Sequence, residues 1–336
     1  MHVSPTVWII TCLVILGLFV FDFFAHVRVP HAPSLKESGF WSAFYITIAL
    51  IFGGFVWWKW GSSSGTEYYA GFVTEKALSV DNLFVFIIIM SKFAVPREYQ
   101  QKVLLLGIVI ALVLRGGFIA VGAAAISAYS WVFYLFGAFL ILTAIKLLRE
   151  SDDPDKTEEE VEGGVEKFVK RFLRTSDTYD RDKLFTIENG KRMATPMLMV
   201  LIVIGFTDVL FALDSIPAIY GLTEEAYIVF TANAFALMGL RQLFFLLGGL
   251  LDKLVYLSFG LSFILGFIGV KLVLHALHEN TLPFINGGEH VSVPVISTPL
   301  SLSVIVGTLV LTTVASLLKT RSDERKESLT SGGTSD

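Results

Sequence analysis

The sequence predicts an all-α fold, a polytopic membrane helical bundle of about nine transmembrane helices with two inverted three-helix repeats. Three observations carry that expectation. Of 336 residues 54% are hydrophobic, only 17% are charged and Phe occurs 29 times, more apolar side chain than a soluble domain can hide. Apolar stretches of about 20 residues, the length that spans a bilayer, recur between short polar joints. Two of those stretches share an acidic motif, set out below. One soluble core is excluded, and composition gives no nucleic-acid signal. The single cysteine, Cys12, rules out an intramolecular disulfide, a Cys-x-x-Cys redox pair and a thiolate metal cluster.

Read by apolar run, the spans fall at 6–25, 40–60, 66–92, 103–125, 129–148, 195–219, 226–249, 254–277 and 299–318. No Lys or Arg precedes the first, no small-residue cleavage site closes it, and Asp22, His26 and Arg28 follow, so it reads as a span and not as a signal peptide. The third is the least apolar, because its first half, GTEYYAGFVTEKALSVDN, is unusually polar. The chain divides into 1–65 with two helices, a first three-helix unit at 66–148, a loop at 149–194, a second three-helix unit at 195–277, an outer loop and last helix at 278–318, and a tail at 319–336. The loop opens with SDDPDKTEEE, a solvated charged linker. Further on, Val161, Val165, Phe168, Val169, Phe172 and Leu173 recur at helical spacing among Lys167, Lys170, Arg171 and Arg174. That pattern suits a helix on the inner leaflet or one packed on the bundle's own inner ends. The Ser, Gly and charge of the tail read as disorder.

Basic residues set the orientation. Arg28 and Lys36, then Lys92, Arg97 and Lys102, ten between Arg149 and Arg192, Lys253 and those from Lys319 onward all fall on one side. Joints 220–225 and 278–298 hold none. The positive-inside rule therefore predicts an N-terminus outside and a C-terminus in the cytoplasm with an odd helix count, and the expected location is the plasma membrane.

The motif lies in GFVTEKALSVDNLF at 71–84 and GFTDVLFALDSIPAI at 205–219, where Thr74, Glu75, Asp81 and Asn82 correspond to Thr207, Asp208, Asp214 and Ser215. The next helix of each unit carries one arginine, Arg115 and Arg241, and the one after it one lysine, Lys146 and Lys271. A three-helix unit is odd, so the second enters the membrane from the opposite side, as in many secondary transporters with a binding site near the midplane. Duplication kept only for packing is the alternative.

A carboxylate at bilayer depth costs about 2.5–3.5 kcal/mol on insertion scales if unpaired, so four of them require a reason. One is structural: the acids pair with Arg115, Arg241, Lys146 and Lys271, which serve as counter-charges or gate latches. The other is ion binding. Residues seven apart share a helix face, which aligns Thr74 with Asp81 and Glu75 with Asn82. The two acids of one motif stand about 9 Å apart along an unbroken helix, so a shared ion needs a break at Gly71, Gly205 or Pro217, or else the use of Asp81 and Asp214 across the two halves. Asn82, Ser215, Thr74 or Thr207 would complete the oxygen shell. Hard oxygens suit Mn²⁺, Mg²⁺ or Ca²⁺ over softer metals, and a proton relay through the carboxylates fits nearly as well. Asn233 is an amide within the seventh span, suited to a helix-to-helix hydrogen bond or, behind that, to metal ligation. His275, His278 and Glu279 form an interfacial cluster or a metal-capturing one. Gly116, Gly117, Gly248 and Gly249 suit close helix packing.

EKALSVDNLFVF, FTDVLFALDSIPAIYGLT and NAFALMGLRQLFFLLGGLLDKL resemble the signatures of the TerC family over roughly residues 40–318. Members of that family were named for tellurium resistance, and several, including the Alx branch, are associated with manganese export. The resemblance implies Mn²⁺ efflux, with Asp81, Asn82, Asp208 and Asp214 inheriting the metal site and Glu75 and Asn233 behind them. The expectation is a secondary transporter and not an enzyme, with the bilayer and a divalent metal ion as partners, protons as a possible counter-ion and no permanently bound cofactor. A tellurite-detoxifying redox or oxyanion protein and a membrane scaffold are the alternatives from other classes.

Overall fold

The structure, a computed structural model, describes residues 1, 3–27, 33–129, 131–150, 175–176, 178–188, 191–247, 255–280 and 282–331. Within helices the side chains of Asp81, Phe84, Glu150 and residues 323–331 lie outside that description. So do the amphipathic stretch expected at 161–174, Lys253 and the Gly248–Gly249 pair.

Helix α1 (Pro5–Asp22) starts on a Ser4 cap with Pro5 in the first turn, where its missing N–H costs nothing, and runs into a π turn, Phe23–Val27. Helix α2 (Leu35–Trp60) opens with a capping box between Ser34 and Glu37 and stops at Gly61, whose φ of +93° no side-chain-bearing residue adopts easily. Then follow α3 (Ser62–Lys92), α4 (Arg97–Ala128) and α5 (Val132–Glu150). A hairpin of β1 (Phe185–Glu188) and β2 (Lys191–Ala194), paired antiparallel with Phe185 opposite Ala194, leads into α6 (Pro196–Tyr220). The second unit continues with α7 (Ala226–Leu237), α8 (Leu240–Leu247) and α9 (Leu257–His278), and α10 (Thr298–Ser331) closes the chain.

Eight helices among the described residues are long and apolar enough to cross a membrane, with α7 and α8 counted as one. The ninth, α3, has 31 residues, or about 46 Å of helix, but Glu67, Glu75, Lys76 and Asp81 make it too polar for that criterion. It sits inside the bundle, where Tyr68, Ala70, Thr74, Glu75, Ser79 and Leu83 are all fully buried. The outward surface is apolar: Ile9, Leu13 and Leu16 of α1 and Val310, Leu311 and Leu318 of α10 are more than half exposed, a band suited to lipid.

Three features differ from expectation. Gly71, Gly205 and Pro217 break nothing: α3 and α6 are continuous through them. A Cβ on Gly71 would lie 3.3 Å from Ala232 Cβ and one on Gly205 3.3 Å from Ile110, so these glycines serve close approach. Pro217 is one turn from the helix end, where only one ladder bond is lost. The discontinuity instead falls in the seventh span, at Met238 and Gly239 (φ +75°). Finally, α10 continues through 319–331, because no Gly or Pro interrupts the chain before Gly332 and a formed helix propagates cheaply; residues 332–336 lie outside the description.

Helix α3 packs on α7, α4 on α6, and α5 on α9. The last pair touch backbone to backbone, since a Cβ on Gly137 would stand 2.8 Å from the Gly269 carbonyl and one on Gly269 2.9 Å from that of Gly137. Gly117, by contrast, has no atom within 4 Å of where its Cβ would be, so it is not a packing glycine.

Candidate ion-binding site

Arg115, near the middle of α4 and fully buried, is the centre of the site. Its Nε donates to Asp208 Oδ2 at 3.1 Å and its Nη2 to Asp208 Oδ1 at 3.0 Å, the side-on fork that a guanidinium makes with a carboxylate. Nη1 donates to Glu75 Oε1, with which it forms a close ion pair, and to Ser215 Oγ at 3.2 Å. Ser79, one turn along α3, donates to the same Glu75 oxygen at 3.2 Å. Glu75 and Asp208, matching positions of the two motifs, thus converge from α3 and α6 on one guanidinium.

With both acids ionised, two carboxylates and one guanidinium leave a formal charge of −1. On α3, α6 and α7 several buried polar atoms have no hydrogen-bond partner among the described residues: Glu75 Oε2, Thr74 Oγ1, Thr207 Oγ1 and both amide atoms of Asn233. Thr74 and Thr207 each immediately precede an acid that Arg115 holds. Asn233 follows Ala232, which faces Gly71 one turn before Glu75. Orphaned oxygens at such depth are costly and native structures carry few of them.

The remaining expected residues are more dispersed. Asp214, partly buried, accepts from Thr143 Oγ1 of α5 at 3.1 Å and lies within electrostatic reach of Lys146. Asn82 is buried. The Asp81 side chain lies outside the described residues, so the pairing of Asp81 with Asp214 across the halves has no geometry here. Among the described residues no three His, Cys, Asp or Glu side chains converge as a ready metal cage. Lys271 donates to Ser301 Oγ at 3.2 Å.

Arg241, the sequence counterpart of Arg115, instead meets Asp22 of α1 at 2.7 Å and donates to Gln101 Oε1 at 2.9 Å. Tyr45 of α2 donates to the same Asp22 oxygen at 2.6 Å, and Gln242 does so at 3.3 Å. This buried network joins the two N-terminal helices, α1 and α2, to α4 and α8, on the side where the chain places its basic joints. Sequence reasoning missed Asp22, Tyr45, Gln101 and Gln242, although an acid closing an apolar span was a signal. It also missed Lys76, whose Nζ reaches the carbonyls of Ala236 at 2.8 Å and Met238 at 3.2 Å. At the opposite end His275 Nε2 stands 3.0 Å from Glu224.

A many-helix membrane bundle with buried, mutually paired charges at its centre is an integral membrane protein of the polytopic class. The chain belongs to the TerC family of integral membrane proteins, whose model matches residues 60–324. An uncharacterized membrane protein of Mycobacterium bovis is 52% identical over 325 residues, covering 96% of this chain and 81% of its own. One from Myxococcus xanthus is 40% identical over 318 residues, 95% of this chain and 94% of its own. A Salmonella typhi protein provisionally named membrane-bound redox modulator Alx is 38% identical over 255 residues, 74% of this chain and 78% of its own. No solved structure matches the chain.

Proposed function

We propose that this protein is a secondary transporter that exports a divalent cation, Mn²⁺ first, from the cytoplasm by alternating access. One observation carries the proposal: two buried carboxylates, Glu75 and Asp208, share the single Arg115 guanidinium while Glu75 Oε2 and the hydroxyls of the preceding Thr74 and Thr207 lack a hydrogen-bond partner among the described residues, a buried hard-oxygen set. The exchange-like helix pairing, α3 on α7 and α4 on α6, supports two halves of inverted sense around that centre. Asp81, Asn82, Asp214 and Ser215 are the further ligands, and protons moving through the carboxylates are the counter-ion. In this scheme the N-terminus is outside, and the Asp22–Arg241 pair closes the inner end.

Flux in proteoliposomes across Mn²⁺, Mg²⁺ and Ca²⁺ tests the proposal, with Asp81→Asn and Asp214→Asn as variants. Export of Mn²⁺ that both variants abolish, with insertion intact, is the expected result. Unaltered flux in both would remove the site assignment. The provisional name of the Alx relatives favours a redox role. Cys12, the chain's one cysteine, is exposed on lipid-facing α1 and has no second thiol with which to form a redox couple.

A further inference from the structure

The seventh span is discontinuous. Helix α7 ends at Leu237 and α8 begins at Leu240, with Met238 extended (φ −61°, ψ 136°) and Gly239 at φ +75°. Only glycine takes the latter without strain, and a Cβ there would also press to 3.0 Å from Tyr45 Cβ. The broken end turns its last carbonyls out of the helical ladder. A helix carboxyl end carries roughly half a negative charge, and buried surroundings screen it poorly.

What offsets it is the ammonium of Lys76. Its Nζ lies 2.8 Å from Ala236 O and 3.2 Å from Met238 O, so a compact cation rests in a cradle of backbone oxygens. Two further features single this out from an ordinary cap. Asn233, less than one turn back along α7 and wholly buried, has neither amide atom partnered. On the other flank a small cavity bounded by Asp22, Tyr45, Met238, Gly239 and Arg241 reaches the break from the side of the inner network. The cradle thus lies between the inner pair of Asp22 and Arg241 and the Glu75 end of the Arg115 cluster. Broken-helix carbonyls near the midplane are where membrane transporters coordinate small cations.

We propose that the break at Met238–Gly239 is a second cation subsite, held in this conformation by the tethered Lys76 ammonium, and that a hard divalent cation takes the Ala236 and Met238 carbonyls when the ammonium withdraws. The inference rests on the export reading above. The ammonium is a built-in competitor: it keeps the cradle neutralised when no cargo is present, and cargo has to displace it.

The test uses full-length protein in lipid nanodiscs. Mn²⁺ binding is measured by calorimetry for wild type, Lys76→Met, which keeps the stem and removes the charge, and Lys76→Arg, which keeps the charge. Loss of the competitor should tighten Mn²⁺ binding about tenfold or more in Lys76→Met, with no tightening in Lys76→Arg. Unchanged or weaker binding in a folded Lys76→Met overturns the proposal. Wild type gives a second readout should that variant fail to fold. Reductive methylation of Lys76, quantified by mass spectrometry against Lys59, should rise with saturating Mn²⁺ and stay level with Na⁺; labelling indifferent to Mn²⁺ overturns it. Mn²⁺ flux measured in parallel separates the two ideas. Flux with neither tightening nor labelling removes only the subsite, whereas absent flux removes export while binding and labelling still report on the cradle.

Discussion

Arg115 and Asp208 meet side-on, Nε to Oδ2 at 3.1 Å and Nη2 to Oδ1 at 3.0 Å, near the middle of α4 and α6. The remaining Arg115 nitrogen is committed to Glu75 and Ser215, so one guanidinium serves two helices at once. Arg115→Ala leaves two buried carboxylates without compensation and should cost about 3–5 kcal/mol, read as a lowered unfolding temperature in detergent. Adding Glu75→Gln and Asp208→Asn to that variant should recover most of the stability and none of the flux. Recovery of both would mean that the cluster is a staple alone.

In the proposed transport scheme the Asp22–Arg241 pair closes the inner end. Arg241→Gln leaves Asp22 to Tyr45 and Gln242 and loosens the α8 contact with α1 and α4. In a Cys12→Ser background a cysteine placed at Leu105, which lines the adjoining cavity, should react about tenfold faster with an impermeant thiol reagent once Arg241 is neutralised, the effect of roughly 1.4 kcal/mol on an opening equilibrium. Unchanged labelling would assign the pair to packing.

Two glycines make a matched comparison. Gly239→Ala forces φ +75° on a residue with a Cβ and should lose about 1–2 kcal/mol, together with transport. Gly117→Ala meets nothing within 4 Å and, mid-helix, should gain a few tenths of a kcal/mol or stay level, with flux unaltered. Thermal unfolding of the purified variants reads both.

The hairpin is tied to α4 by Lys102, whose Nζ lies 2.6 Å from Asp182, while Tyr179 donates to the Phe93 carbonyl at 2.7 Å. The hydrogen bond from Lys102 holds the Asp182 carboxyl below the usual carboxylate range. A depressed folded-state pKa stabilises above the unfolded value, about 3.9, and that contribution disappears as pH falls through the lowered value. Lys102→Gln should therefore speed amide exchange in 178–188 at pH 7, with an effect that shrinks as the pH is taken below about 3.9. The pair is half-exposed, so the effect is below about 1 kcal/mol.

Sequence periodicity exposed the spans because lipid demands long apolar runs, and their order along the chain matches the helices found. The convergence of Glu75 and Asp208 was half legible: the repeat related them, but only packing shows that both turn to Arg115 and not to each other's lysines. Arg241 was misleading for the same reason, since its partner Asp22 lies outside the repeat and 219 positions away. The break escaped notice because Gly239 sits in an apolar run, TANAFALMGLR, with no proline beside it. What satisfies its freed carbonyls is Lys76 on another helix, and single-segment patterns do not report that.

The polarity of α3 also bears on how the protein is made. An Asp or Lys at a helix centre resists insertion by about 3 kcal/mol, and α3 carries Glu75, Lys76 and Asp81 close together. By its own polarity such a segment partitions poorly into lipid, and in the folded bundle the charges of Glu75 and Lys76 are met by Arg115 of α4 and by the Ala236 carbonyl of α7. The side chains that neutralise one another in the finished bundle are therefore also the ones on which stable seating of α3 in lipid depends.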